Sequence, residues 1–295
     1  MTRIVSFLPA GTEILYAVGA GSELLGRSHE CDFPPEVLKL PIVSRPALNL
    51  EEMSQAEIDE AVASRLKSGE SLYEVDELLL RELAPDVIIT QDLCQVCAPS
   101  GNELTRAVRD LPQKPELVWL SPQTLADIEE NILQVGEASG YRANAEGIIK
   151  SNRARIADVQ AAVSAERVRR VVFLEWTEPL FSAGHWVPEM IELAGGHDPL
   201  GKPGTDSVRM TWEEVRGANP EIIIVSPCGY RLDQSRELAA ALDKIPGAKV
   251  FAVDANAYFA RPGPRIAEAI ELLAHLFHPE RVTWPHATRP WELVP

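Results

Sequence analysis

The 295-residue sequence is poor in cysteine, holding only four. That is too few for a disulfide scaffold in a chain this long, and reduced thiols are expected. It also lacks any apolar run approaching the roughly 18 residues that cross a bilayer, so no membrane insertion is expected. Cations are scarce as well: 28 Lys and Arg face 44 Asp and Glu, for a formal net charge of -16. Nucleic acid and anionic membrane surfaces, which both need concentrated positive charge, are excluded as partners. Only Met1-Thr2-Arg3 precedes the first apolar run, leaving no room for a secretory leader. As it stands the sequence reads as cytoplasmic, and as periplasmic or extracytoplasmic if a leader has been trimmed. Glycine-rich nucleotide loops are absent, and no nucleophile, base and orienting group can be recognised. The expectation is a protein that is not an enzyme.

What is present is a succession of short, continuous apolar runs, at residues 4–8, 87–89, 117–120, 171–174, 222–225 and 250–253, separated by helical stretches. Continuous apolar runs suit strands buried on both faces, and alternation with helices suits parallel sheets. The fold class is α/β. Leu83-Ala84-Pro85-Asp86-Val87-Ile88 and Ala218-Asn219-Pro220-Glu221-Ile222-Ile223 echo one another and mark equivalent places in two lobes. Residues 142–163 contain almost no turn chemistry, and their apolar positions recur at helical spacing, which predicts one connecting helix of about 33 Å. The expected organisation is an N-terminal lobe over 1–140, the connector over 141–165 and a C-terminal lobe over 166–295. Residues 125–138 predict a further amphipathic helix, and the acidic stretch 51–60 a solvated surface helix starting after Asn49 or Leu50.

All four cysteines fall in segments that follow or lie near apolar runs: Ser28-His29-Glu30-Cys31-Asp32, residues 90–97, Ala183-Gly184-His185-Trp186 and Ser226-Pro227-Cys228-Gly229-Tyr230. Loops at the carboxyl ends of parallel strands are where open α/β sheets bind ligands. Cys94 and Cys97 form a Cys-x-x-Cys pair that could grip one ion. Cys31, Cys228 or His29 would complete a tetrahedral transition-metal site. The alternatives are small buried thiols that pack the loops, or a redox pair. His185 is read either as an axial ligand to a cobalt or iron chelate or as a hydrogen-bonding group. Trp186 and Tyr230 are read as rings that stack on a planar ligand or pack in the fold.

An ordered set of motifs carries a family resemblance: Pro9-Ala10-Gly11-Thr12-Glu13, Cys31-Asp32-Phe33-Pro34-Pro35, Leu83-Ala84-Pro85-Asp86-Val87-Ile88, Gly195-Gly196, and Phe259-Ala260-Arg261-Pro262-Gly263-Pro264-Arg265. The chain resembles the substrate-binding proteins of iron-chelate and vitamin B12 ABC importers, and within them the cobalamin-binding branch. The resemblance implies two parallel-sheet lobes joined by a single long helix, with a ligand cleft between the lobes. It implies a small-molecule ligand, a corrinoid or related metal chelate, bound without catalysis and with no required cofactor. Phe181, Tyr258 and Arg261 match ligand contacts. Glu30 and Gln91, and Ser207 in the second lobe, stand where the family has large aromatics. Glu213 matches an acid that docks on the importer permease; at the first-lobe counterpart stands Leu78, beside Asp76 and Glu77. A second reading of the same residues is a cytoplasmic metal-site protein or metalloenzyme using the Cys/His-rich loops, with a bound transition metal.

Overall fold

A computed structural model describes residues 1–49, 53–68, 70–91, 107–109 and 111–295. The chain forms two compact units, Met1–Pro122 with Ala126–Lys150, and Gln123–Leu125 with Ser151–Pro295.

The first unit contains β1 Ile4–Ser6, α1 Pro9–Val18, β2 Leu24–Ser28, β3 Ile42–Pro46, α2 Gln55–Ser68, β4 Tyr73–Val75, α3 Glu77–Leu83, β5 Val87–Thr90 and β6 Glu116–Trp119. Its sheet runs β4-β3-β2-β1-β5-β6. Val5, Phe7, Val43, Leu80 and Ile88 form a buried core on one face, while Ile4 and Ile89 are fully buried on the other. Burial on both faces is why these strands read as unbroken apolar runs. Proline opens α1 at a position where its missing N–H costs nothing, and Gly19 closes it at φ +93°. A Cβ on Gly11 would lie 2.5 Å from the Ile89 side chain, so only glycine lets α1 lie this close to the sheet. The acidic surface helix is α2. It starts from a reciprocal Ser54–Glu57 cap rather than from Asn49 or Leu50, with the Ser54 hydroxyl donating to the Glu57 carboxylate at 2.8 Å and accepting from the Glu57 N–H at 3.3 Å.

Helix α4, Leu125–Ala138, follows, and then α5, Arg142–Val163, which passes from the first unit into the second between Lys150 and Ser151. Ala145, Ile149, Asn152, Val159 and Val163 are its buried stripe. Within the second unit Asn152 donates to the Pro264 carbonyl at 3.1 Å, and Arg155 grips Glu271 with two bonds of 2.8 and 2.7 Å.

The second unit contains β7 Arg169–Thr177, β8 Leu180–Ser182, α6 Val187–Leu193, β9 Gly196–His197, α7 Trp212–Gly217, β10 Ile222–Val225, α8 Leu232–Ala241, β11 Lys249–Val253, α9 Ala255–Tyr258, α10 Ile266–Phe277 and β12 Trp291–Val294. The sheet order is β12-β11-β10-β7-β8, with β9 paired to β7. Val172, Leu174, Ile223 and Val225 pack on one face with Val215 and Leu180. The alternating residues Val171, Phe173 and Ile224 are fully buried on the other, as the two-residue strand period requires.

Both units have the expected α/β class, and their sheets are mixed rather than parallel throughout. In the first, β4 pairs antiparallel to β3; in the second, β8 and β12 pair antiparallel to β7 and β11. These strands all lie at sheet ends. A short hairpin return supplies β8 and the end of the chain supplies β12, and neither needs the crossover helix of a parallel strand.

Candidate functional site

In the first unit the loop after β2 is organised by Arg27. Its buried guanidinium donates to the carbonyls of Ser28 at 3.1 Å, His29 at 3.3 Å and Cys31 at 3.1 Å. His29 follows directly, with its Nδ1 3.3 Å from the Ser28 hydroxyl and its ring 6.2 Å from that of Tyr73. Burial holds the His29 imidazole below its ordinary pKa; the Ser44 carbonyl opposes this, and the charges of Arg45 and Arg27 reinforce it. Glu30 is exposed, 3.9 Å from His29 Nε2, and Gln91 is buried at the end of β5. Cys31 has no exposed surface, and its sulfur accepts a 3.0 Å hydrogen bond from the Thr12 hydroxyl. Cys94 and Cys97 lie outside the described residues.

In the second unit β7 and β8 form a hairpin whose register shifts between Leu174 and Trp176. Phe181 on β8 is half-buried beneath the Arg209 guanidinium, 5.6 Å above its ring. The loop that follows presents His185 at φ +51°, a left-handed backbone that non-glycine residues seldom adopt. Two backbone bonds hold it there: His185 N–H to the Thr205 carbonyl at 2.6 Å, and Gly204 N–H to the His185 carbonyl at 2.9 Å. His185 Nε2 lies 3.2 Å from the Asp206 carboxylate. Burial lowers the His185 pKa and Asp206 counters it, a net shift that favours the neutral imidazole. Trp186, with its ring 5.7 Å from that of His185, is buried, and its indole Nε1 has no hydrogen-bond partner among the described residues.

Glu175 occupies the register shift. Its carboxylate accepts from Gly184 N–H at 2.9 Å and from the Ser207 hydroxyl, and its backbone carbonyl accepts from Cys228 N–H at 3.2 Å. Burial pushes its pKa up to about 7 against these two hydrogen bonds, with Asp198 adding to the rise. Burial also raises the Asp198 carboxyl, which accepts from Phe173 N–H at 3.0 Å and Leu200 N–H at 2.9 Å. Ser207 is therefore an anchoring hydroxyl. Sequence reading had no signal for this contact, which joins residues 32 positions apart across a strand irregularity.

Cys228 is exposed, and Tyr230 sets its ring edge-on to Trp176 at 5.4 Å. Tyr258 is buried, with the Arg265 guanidinium 5.8 Å from its ring and Trp284 edge-on at 6.1 Å. Arg261 is also buried, donating to the Asn256 side chain at 3.0 Å. The second unit thus gathers Glu175, Gly184, His185, Asp206, Ser207 and Cys228 into one bonded cluster. Among the described residues, the one trio with metal-ligand atoms mutually close is Glu166, His278 and Glu280, which includes none of the expected ligands.

Glu213 is exposed in the first turn of α7. The neighbouring Glu214 turns its carboxylate back onto Thr211, accepting from the N–H at 2.7 Å and the hydroxyl at 2.9 Å. In the first unit Leu78 is 73% exposed, one residue from Glu77, with Asp76 capping α3.

Comparison with known proteins places this geometry in context. A family model described as periplasmic binding protein matches residues 4–253. A vitamin B12-binding protein of Vibrio cholerae is 26% identical over 277 residues, covering 91% of this chain and 86% of its own. An ABC transporter substrate-binding lipoprotein of Bacillus subtilis is 23% identical, covering 94% of this chain and 80% of its own. Among solved structures, a periplasmic heme binding protein from Pseudomonas aeruginosa superposes with a TM-score of 0.71 at 18% identity, covering 100% of this chain and 98% of its own.

Proposed function

The chain belongs to the periplasmic binding protein family, and from that premise we propose that it binds a corrinoid or related metal chelate as the substrate-binding component of an ABC importer. The relatives are solute-binding proteins rather than enzymes, which does not favour the metalloenzyme alternative. They are also described as periplasmic or as a lipoprotein, which supports an extracytoplasmic location over the cytoplasmic reading.

The observation that carries the choice of ligand class is the His185–Asp206 pair. A metal-binding histidine typically donates one ring N–H to a carboxylate, which fixes the tautomer and leaves the other nitrogen as the ligand atom. With Nε2 held by Asp206 and the neutral ring favoured, Nδ1 is the nitrogen left to meet a cobalt or iron centre. Phe181, Trp186, Tyr230 and Tyr258 supply flat apolar surface for the macrocycle, and Arg261 a cation for its acidic edge. Gln91, His29 and Glu30 are the first unit's own candidate polar contacts. On this reading Cys31 packs its own loop, bonded by the Thr12 hydroxyl. Glu213 is the outward charge for a permease, since Glu214 is engaged by its own helix cap.

Titration of the purified protein with aquocobalamin, cobinamide and ferric hemin, followed by absorbance, tests the proposal. One probe is expected to bind with a shifted metal band, and His185→Ala to abolish that shift. No spectral change with any of the three overturns the ligand class.

A further inference from the structure

Glu175 is one residue with three structural duties. It is the extra residue at a register shift, a device that redirects a side chain out of its strand's alternation. Its carboxylate ties Gly184, the neighbour of His185, to Ser207, the neighbour of Asp206. Its carbonyl holds the turn containing Cys228. A Cβ on Gly184 would collide with the Ser207 backbone, so the two segments are in direct contact at this point. His185 and Asp206 themselves sit on adjoining positions of the same two segments, joined further by the bonds between His185 and residues 204 and 205.

The Asp206 side chain is 82% exposed and gets little help from its surroundings in staying near the imidazole. Its separation from His185 Nε2 is set instead by how the two backbones are fastened, and the Glu175 carboxylate is a side-chain fastener between them. Beside it, the Ser182 hydroxyl accepts from Val208 N–H at 3.2 Å. We infer that Glu175 is a positioning residue that, through Gly184 and Ser207, sets the geometry of the His185–Asp206 pair and thereby the metal-binding strength of that imidazole. The inference rests on the proposed role of His185 and adds the residue that controls it.

Outer-shell partners of a metal-binding histidine typically change affinity by about 10-fold to 100-fold when removed. Glu175→Ala and Ser207→Ala should each weaken ferric hemin or aquocobalamin binding by about that factor. Glu175→Gln, which keeps an acceptor for Gly184 N–H and a polar partner for the Ser207 hydroxyl, should restore most of it. In a His185→Ala background the Glu175→Ala change should have no further effect, because residues acting as one unit are not additive. Equal losses in both backgrounds would overturn the inference.

A ligand-free arm separates failure of the inference from failure of the ligand reading. Long-range proton–nitrogen NMR of the His185 ring in the whole protein should show the Nε2–H tautomer in the native chain and a mixture of tautomers in Ser207→Ala. An unchanged ring signature in Ser207→Ala and Glu175→Ala overturns the positioning role, whether or not any chelate binds. If the native protein binds neither probe while the ring signature shifts as expected, the ligand reading falls and the coupling of Glu175 to His185 stands.

Discussion

Replacing Glu175 by glutamine should make stability less sensitive to pH in a defined direction. The Glu175 carboxyl is displaced from its ordinary 4.5 to about 7 in the folded protein, mainly by burial. Each step of one in pKa corresponds to about 1.4 kcal/mol, so the whole displacement corresponds to about 3 kcal/mol. Because the folded pKa is the higher one, the folded state keeps a proton that the unfolded chain has already released above pH 4.5. The stabilisation is complete below pH 4.5, declines as pH rises, and is gone above about pH 7. Glutamine does not titrate. The difference in stability between Glu175→Gln and the native protein should therefore move in the variant's favour by about 3 kcal/mol between pH 4.5 and pH 8. Asp198, His29 and His185 also titrate with displaced pKa values, but they are common to both proteins and largely cancel. Urea unfolding followed by tryptophan fluorescence suits the measurement, because five of the six tryptophans, at 176, 186, 212, 284 and 291, lie in the second unit. A difference that stays flat across this pH range, or that moves against the variant, refutes the burial argument.

Two further outcomes follow from the second unit. Glu221, held down to about 2 chiefly by its hydrogen bond to Arg167, contributes stability above the ordinary carboxylate range and loses it as pH falls from 4.5 toward 2. Solvent screening limits this to roughly 1 kcal/mol, so Glu221→Gln should remove a small acid-side slope in urea midpoints and leave midpoints above pH 6 nearly level with Arg167→Ala. Phe173, fully buried with its ring edge-on to Phe259 at 5.2 Å, should cost about 3 to 5 kcal/mol on replacement by alanine in the same urea assay. A loss below about 1 kcal/mol would mean the cavity had collapsed.

The strands that could be read from the sequence are those buried on both faces. β1, β5, β7, β10 and β11 all contain apolar runs, because packing on two sides leaves no polar position to alternate with. β6, at the sheet edge with Glu116 and Trp119 exposed, keeps a shorter apolar run without that burial. Those not picked out as apolar runs have other reasons to be strands. β2 carries Gly26 and Arg27, the glycine because a Cβ there would lie 2.7 Å from Leu83 and Val43, the arginine because it organises the following loop. β4, β8 and β12 are short edge strands fixed by the strand they pair with, adjacent in a hairpin for β8 and remote in the chain for β4 and β12, rather than by their own composition. Helix α5 was legible over its full span because its buried stripe is periodic and little turn chemistry interrupts it. At the site, His185 and Trp186 could be named from residue type and loop position. The Glu175–Ser207 contact could not, since it depends on a register shift that only the folded hairpin defines. Cys31 illustrates the opposite difficulty: its type suggests a ligand, whereas its sulfur is buried and accepts a bond from Thr12.

The last strand of the chain has a bearing on solubility. β12 runs antiparallel along β11, pairing Val250 with Val294 and Val253 with Trp291, while Glu292 and Leu293 stay outside the core. An open strand edge is a template for association with other chains. Without these few residues the backbone of β11, bearing Val250, Phe251 and Val253, would become such an edge. The final residues therefore act as a guard strand, and a chain clipped just before Trp291 should keep most of its core yet aggregate by edge-to-edge pairing.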